Sequence, residues 1–96
     1  MKSLHEKPGG TTATDESIEV SAKITAKLCL EVWHERSRQL DKFGHQTHLT
    51  PSEYLTVLQE EVGEVARAII DGDLENYREE LIQVATVALA MVEESF

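Results

Sequence analysis

Large apolar residues recur every three or four positions in three separate stretches of the chain, the spacing that predicts amphipathic α-helices. The first stretch predicts a helix from about Asp15 to Lys42. Asp15 is its expected N-cap, the helix dipole favours Glu16 in the first turn, and Gly44 is expected to end it. Its apolar positions are Ile18, Ala22, Ile24, Leu28, Val32 and Trp33. One side of this helix is thus expected to face a core.

The second helix has the clearest start in the sequence. Thr50 is the predicted N-cap, Pro51 occupies the first helical position, and Glu53 completes a capping box. The apolar positions that follow are Leu55, Leu58, Val62, Val65 and Ile69. The helix is predicted to end near Asp71, where Gly72 can adopt the left-handed conformation.

Asp73 is predicted to cap a third helix immediately after this turn. The apolar positions of this helix are Leu74, Tyr77, Leu81, Val84, Ala85, Ala88, Met91 and Val92. So short a connection favours an antiparallel hairpin of the second and third helices. The predicted fold class is therefore all-α: a helical bundle of three main helices with a central antiparallel hairpin, completed by oligomerisation.

Residues 1–14 are rich in Gly, Thr and charge, so we expect a flexible N-terminal tail before a single domain at 15–96. A chain of 96 residues buries a small share of its surface, and partner subunits are expected to cover more of it. The remaining apolar face is predicted at Ala85, Ala88, Ala90 and Met91. We therefore expect a homodimer, or a homotetramer built as a dimer of dimers.

Eighteen acidic and nine basic residues give the chain a formal charge of −9. This excess disfavours binding to a nucleic-acid polymer, but a divalent metal can still bridge carboxylates to the phosphates of a nucleotide. The single cysteine, Cys29, cannot form an internal disulfide and is predicted to be buried. No apolar run is long enough to cross a membrane. We expect a soluble, cytoplasmic protein.

Several carboxylates lie close to the predicted apolar faces. Glu61 lies at the edge of the second helix's apolar stripe, with Glu60 and Glu64 beyond it. On the third helix, Glu80 shares the apolar face while Glu79 points to solvent. A charged group against a core is costly unless it is paired or binds a metal, and carboxylate oxygens from facing helices suit Mg²⁺ or Mn²⁺. The alternative is a solvated acidic surface, which is common on helices.

Two adjacent motifs resemble the signature of the MazG-like, all-α nucleoside triphosphate pyrophosphohydrolases. They are Leu58–Ala68 (LQEEVGEVARA), with Glu-Glu-x-x-Glu, and Glu79–Ala85 (EELIQVA), which follows after an interval that fits the family. Upstream, Glu35–Gln46 (ERSRQLDKFGHQ) is similar to the first helix and loop of compact, single-domain members. The resemblance extends over about residues 33–93.

This resemblance implies that Glu61, Glu64 and Glu80 bind Mg²⁺, with Mn²⁺ as a possible substitute. Glu60 would be a further ligand or would position a water, so Glu60 and Glu61 are the implied catalytic residues. Gln83 takes the place where the family pattern usually has Asp. Its amide oxygen can still bind Mg²⁺, but it brings no charge and cannot act as a base.

The implied reaction is Mg²⁺-dependent hydrolysis of a nucleoside triphosphate, deoxy or non-standard ones included, to the monophosphate and pyrophosphate. Arg38 and Lys42, one helical turn apart, are the implied contacts to the distal phosphates. Gln46 in the loop and Trp33, which is either a core residue or a platform for a base, complete the expected substrate-binding set. Two alternatives stay open: a catalytically weak module that binds Mg²⁺-nucleotide, and a structural helical oligomerisation domain.

Overall fold

Three α-helices account for most of the described chain. The computed structural model describes residues 14–43 and 49–95, with helices α1 (Asp15–Phe43), α2 (Pro51–Asp71) and α3 (Leu74–Glu94). Within these ranges there is no β-strand, and no helix has the length and apolar character needed to cross a membrane. The predicted all-α fold is confirmed. The predicted tail up to residue 13 and the predicted stop at Gly44 lie outside the described residues.

The ends of α2 and the start of α3 are fixed by local contacts. The Thr50 hydroxyl accepts from the backbone N–H of Glu53 at 3.2 Å, and the Glu53 carboxylate accepts from the Thr50 N–H at 3.0 Å. Gly72 ends α2 with φ +68°, and the Asp73 carboxylate accepts from the Asn76 N–H at 3.0 Å. The caps predicted at these three positions are therefore confirmed.

The start of α1 differs from the prediction by one residue. Asp15 is already helical, and Thr14 supplies the cap. Its Oγ1 accepts from the Ser17 N–H at 3.1 Å, and its carbonyl accepts from the Ile18 N–H at 3.0 Å. Asp15 and Glu16 lie in the first turn, where the helix dipole favours acidic side chains. Two adjacent residues with short oxygen-bearing side chains are equivalent candidates in the sequence, so only the structure separates them.

Both α1 and α2 pack against α3, and within the described residues no Cα atom of α1 lies within 8 Å of a Cα atom of α2. The most buried side chains belong to α2 and α3; they are Ala68, Thr86, Val87 and Ala90. Thr86 is fully buried, and its hydroxyl donates to the Ile82 carbonyl at 2.7 Å. That bond satisfies the one polar side chain in this small core. The central helix is thus α3.

Two ion pairs also join α1 to α3. Arg36 donates to Glu93 with an Nε–Oε2 distance of 3.0 Å, and Arg78 donates to Glu31 at 2.8 Å. The Arg36 side chain is only 15% exposed, whereas that of Arg78 is 60% exposed. The first pair is therefore the better shielded from solvent, and exposed pairs such as the second typically contribute about 0–1 kcal/mol.

The N-terminal half of α1 extends past the other two helices. α1 has 29 residues and α2 and α3 have 21 each, which at 1.5 Å per residue is a difference of about 12 Å. Residues 14–27 are exposed, Ile18 and Ile24 included, whereas Leu28 and Val32 are half-buried. Cys29 is exposed, so its predicted burial is wrong for this chain: it lies on the side of α1 that α3 does not cover.

The buried face of α2 is rotated from the predicted stripe. Its buried and half-buried residues are Tyr54, Val57, Leu58, Glu61, Val65 and Ala68. Three residues of the predicted stripe, Leu55, Val62 and Ile69, are 49%, 51% and 62% exposed. Glu61 therefore lies within the buried face of α2 and not at its edge.

The predicted partner face of α3 is available only in part. Ala85 and Ala88 are exposed, but Ala90 is buried within the chain and Met91 is half-buried. Ala90 falls on the same side of α3 as Thr86, four residues earlier, and that side is the core. Ala90 and Met91 are thus corrected from partner-facing to inward-facing positions.

Replacement by alanine should have opposite effects on stability at two glycines, Gly63 inside α2 and Gly72 directly after it. Gly72→Ala places a Cβ at φ +68°, which should lower the free energy of unfolding by about 1 kcal/mol. Gly63 lies inside the helix with open space where a Cβ would be, so Gly63→Ala should raise that free energy by about 0.5–1 kcal/mol. Urea unfolding followed by circular dichroism measures both, and a stabilising Gly72→Ala would contradict the left-handed turn.

Candidate functional site

Glu61 of α2 and Glu80 of α3 lie together between their two helices; we call them the carboxylate pair. Both are half-buried, whereas the neighbouring Glu79 is exposed as predicted. Burial raises the pKa of Glu61, and so does the charge of Glu80 close to it. Two acidic groups from different helices are thus held near each other, at a position where Glu61 is harder to ionise than in water.

Glu64 and Glu60 lie near this pair but are more open to solvent. The charge of Glu64, and more weakly that of Glu60, adds to the raised pKa of Glu61. Both side chains are on exposed positions of α2. In the described ranges, no group of three or more His, Cys, Asp or Glu side chains is arranged to hold a metal ion. Of the predicted metal ligands, the structure therefore brings Glu61 and Glu80 together most closely.

Gln83 belongs to a different cluster, at the contact of α3 with α1. Its Oε1 accepts from the Gln39 amide at 3.0 Å, and Glu35 lies close to both glutamines. The pKa of Glu35 is lowered to about 2, chiefly by the hydrogen bond from Arg38, with further bonds from Gln83 and Gln39. An amide can accept from one neighbour and donate to another, which a carboxylate cannot. Gln83 thus links the two helices.

A cleft of about 260 Å³ opens between α1 and α2, above α3. Its polar lining is Arg36, Gln39, Tyr54 and Glu61, and its apolar lining is Leu49, Val57, Val87 and Ala90. The Tyr54 hydroxyl donates to Glu94 at 3.5 Å, and burial together with the Glu94 charge raises the pKa of Tyr54. An apolar concave surface with a few polar groups converging on it is typical of small-molecule sites. Glu61 connects this cleft to the carboxylate pair.

The predicted substrate-binding residues are dispersed along α1 and beyond it. Arg38 pairs with Glu35, three residues away on the same helix. Lys42 is exposed at the end of α1. Trp33 is 58% exposed, with its ring edge-on to that of His34 at a centroid distance of 5.3 Å, so it is not a core residue of this chain. Gln46 lies outside the described residues.

Four residues of this region were not identified from the sequence: Glu35, Arg36, Gln39 and Tyr54. Their spacing along the helix could have shown that they face inward. Arg36 follows Val32 by four residues and Gln39 follows Glu35 by four, so these polar residues continue the inward face of α1. Polar residues are usually expected to face solvent, and a polar stretch on a buried face is therefore missed in a reading of the sequence.

Comparison with known family models, with curated proteins and with solved structures gives no match to this chain. No relative therefore supplies a function for it. The chemistry of the carboxylate pair and the cleft is what supports a proposal.

The carboxylate pair predicts that Glu61→Gln stabilises the metal-free protein at neutral pH. A carboxyl whose pKa is raised on folding contributes stability below its unfolded pKa and loses it as the pH rises through its folded pKa. The amide carries no charge, so at pH 7 in EDTA the variant should melt at a higher temperature than wild type. Near pH 4 the difference should shrink.

Exposed Glu79, mutated to Gln, is the matched control and should change the melting temperature less than Glu61→Gln does. Both variants lose one carboxylate from neighbouring helices of the same protein, so they separate the local repulsion from a general effect of net charge. A Glu61→Gln protein that melts below wild type at pH 7 would show that the pair is not repulsive.

Proposed function

We propose that the protein is a Mg²⁺-dependent nucleoside triphosphate pyrophosphohydrolase of the MazG-like type, which releases the monophosphate and pyrophosphate. The observation that carries this proposal is the carboxylate pair, two acidic side chains from different helices held together beside a cleft. Such an arrangement is costly to the fold, and a cation offsets that cost. The resemblance of both glutamates to the MazG-like motifs supports the same conclusion.

The donor chemistry of the pair fits Mg²⁺. Magnesium in phosphate-processing sites is usually held by one or two carboxylates, with waters and substrate phosphates as the other ligands. Glu61 and Glu80 would supply the carboxylates, and nearby Glu64 would add negative charge or a further oxygen. We leave Gln83 out of this set because its amide oxygen, the atom that could bind a metal, accepts from Gln39. Bound Mg²⁺ would neutralise phosphate oxygens and favour attack by water at phosphorus.

The protein's own groups then have separate tasks. Glu60 or Glu61 would accept the proton of the attacking water, and the raised pKa of Glu61 makes that carboxylate the better base near neutral pH. Lys42, and Arg38 if it leaves Glu35, would contact the distal phosphates. With a formal charge of −9, the chain would repel a triphosphate unless cations intervened.

A catalytically weak module that binds Mg²⁺-nucleotide is the second candidate. The observation that favours it is Gln83, whose contacts tie α1 to α3 and leave the proposed site one acidic ligand short of the family pattern. This candidate predicts saturable, Mg²⁺-dependent binding of nucleotide without release of products.

Product analysis separates the two functions. Wild-type protein incubated with ribo- and deoxyribonucleoside triphosphates and Mg²⁺ or Mn²⁺ should yield monophosphate and pyrophosphate over many turnovers. Glu61→Gln and Glu80→Gln should each lower the rate by at least about a hundredfold, because each removes a proposed metal ligand. Glu79→Gln, on the exposed side of α3, should leave it nearly unchanged.

Binding without turnover by wild type would favour the module. Neither binding nor turnover, with helix content intact in both glutamine variants, would favour a structural helical domain and end the enzymatic proposal. Circular dichroism on each variant excludes unfolding as the cause of lost activity.

We further propose that α2 and α3 form an antiparallel hairpin whose outer side binds a second copy of the chain. The Tyr54–Glu94 contact joins the start of α2 to the end of α3, and a two-residue turn joins their other ends. Exposed apolar residues repeat every seven positions on each helix, a spacing that forms one line along a helix. They are Leu55, Val62 and Ile69 on α2 and Leu74, Leu81 and Ala88 on α3.

At about 100° per residue, the angular positions of these residues place both lines beside the α2–α3 contact, on the side away from the cleft. Contiguous apolar patches on a soluble protein mark contacts with other chains. A homodimer, or a homotetramer of two such dimers, is the assembly proposed. Cytoplasmic localisation is proposed as well, since the exposed thiol of Cys29 suits a reducing compartment.

Sedimentation at micromolar concentration should show a dimer or tetramer for wild type. Val62→Glu should shift it toward monomer, because the added charge lies in the apolar line. Thr56→Glu adds the same charge at an exposed position of α2 that lies about 120° from Val62 around the helix, and it should leave the assembly intact. A compact wild-type monomer would contradict the proposed interface.

A further inference from the structure

The side-chain amide of Gln39 is held in one orientation. Its Nε2 donates to Gln83 Oε1 at 3.0 Å and to Glu35 Oε1 at 3.4 Å. Ionised Glu35 only accepts hydrogen bonds, so the nitrogen of Gln39 and not its oxygen must face that carboxylate. Both N–H groups of the amide are used in these two bonds.

Gln83 completes the constraint. Its Oε1 is the second acceptor of the Gln39 amide, and Glu35, whose pKa is lowered to about 2, stays ionised in the same cluster. Turning the Gln39 amide over would place its oxygen against the Glu35 carboxylate, which can only accept. The contacts of Gln39 with Glu35 and Gln83 therefore favour one orientation of its amide.

The group that Gln39 has left for a ligand is its carbonyl oxygen. Gln39 lines the cleft, so this oxygen offers a hydrogen-bond acceptor there. The apolar side chains of Val57, Val87 and Ala90 line the same cleft, and surfaces of this kind contact the face of a planar ring. Glu61, at the same cleft, belongs to the proposed Mg²⁺ and phosphate site.

We propose that this cleft holds the nucleotide's base and that Gln39 determines specificity by accepting a hydrogen bond from an exocyclic amino group. Cytosine and adenine carry such a group. Uracil and hypoxanthine carry a carbonyl oxygen in its place, which would meet the Gln39 oxygen as a second acceptor. The inference rests on the proposed function, because it takes a nucleotide as the ligand and Glu61 as part of the phosphate end of the site.

Binding of two matched, non-hydrolysable ligands tests the assignment without requiring turnover. Titration calorimetry in Mg²⁺ would compare the α,β-methylene analogues of dCTP and dUTP, which share their sugar and phosphate chain and differ at the edge of the base that Gln39 reads. Wild type should bind the dCTP analogue roughly tenfold more tightly, the order expected for one hydrogen bond made against an acceptor left unsatisfied. Gln39→Leu should bring the two affinities to within about twofold.

Gln59→Leu, at an exposed position of α2, is the control and should keep the wild-type ratio. Glu35→Gln does not alter the proposed ligand contact but places at position 35 an amide that can donate as well as accept, so the Gln39 amide can turn and the preference should fall while binding persists. This variant shows whether the base preference requires a fixed orientation of the Gln39 amide or only the presence of Gln39.

Equal affinities in wild type, binding of neither analogue, or a preference that survives Gln39→Leu would each overturn the assignment. Product analysis with dCTP and dUTP judges the proposed function separately. If dCTP and dUTP are hydrolysed at equal rates and their analogues bind equally well, only the proposed base preference is contradicted. If the dCTP analogue binds more tightly but neither nucleotide is hydrolysed, the base preference stands and the proposed enzymatic activity is contradicted.

Discussion

The rest of the structure depends on the packing of α1 and α2 against α3, while the backbones of α1 and α2 stay more than 8 Å apart, Cα to Cα, in the described chain. Two helices that pack on a third in this way leave a gap between themselves, and here that gap is the cleft. Val87 and Ala90 line it from α3, and both are among the most buried residues. Small and medium side chains at these positions allow α1 and α2 to approach α3 closely, while the space above them stays open.

The carboxylate pair places a second constraint on this fold. Glu61 occupies an inward position of α2 that an apolar residue would fill at lower cost, and Glu80 faces it from α3. Stability alone gives no reason for an acid at position 61, because burial and the nearby charge of Glu80 raise the cost of charging it. Sites that break a packing rule in this way are expected where function requires it. The proposed Mg²⁺ would offset that cost, and for this reason the pair supports the proposal of a metal site.

Local signals in the sequence predicted the helices and their ends well. Thr50, Glu53, Gly72 and Asp73 act through contacts within four residues, and such contacts can be read without knowing the tertiary structure. The rotation of the buried face of α2 could not be predicted from local contacts. The helix carries two adjacent lines of apolar residues, and hydrophobicity alone does not say which line faces α3. The line that includes Val62 is the exposed one.

The candidate site shows the same difference between local and tertiary signals. Glu61 and Glu80 were picked out as candidate site residues from the sequence because acids on apolar faces are unusual. Arg36 and Gln39 were not picked out, because their contacts form only when α1 packs against α3.

The residue at position 83 is explained by its neighbours. Gln39 donates to Gln83 at 3.0 Å, and Glu35, whose pKa is lowered to about 2, lies in the same cluster. An Asp at this position could also accept from Gln39, but it would bring a second negative charge to the α1–α3 contact. A neutral amide avoids this repulsion and keeps the hydrogen bond that joins α3 to α1. In this chain Gln83 is explained by how α1 packs on α3, independently of any ligand at the carboxylate pair.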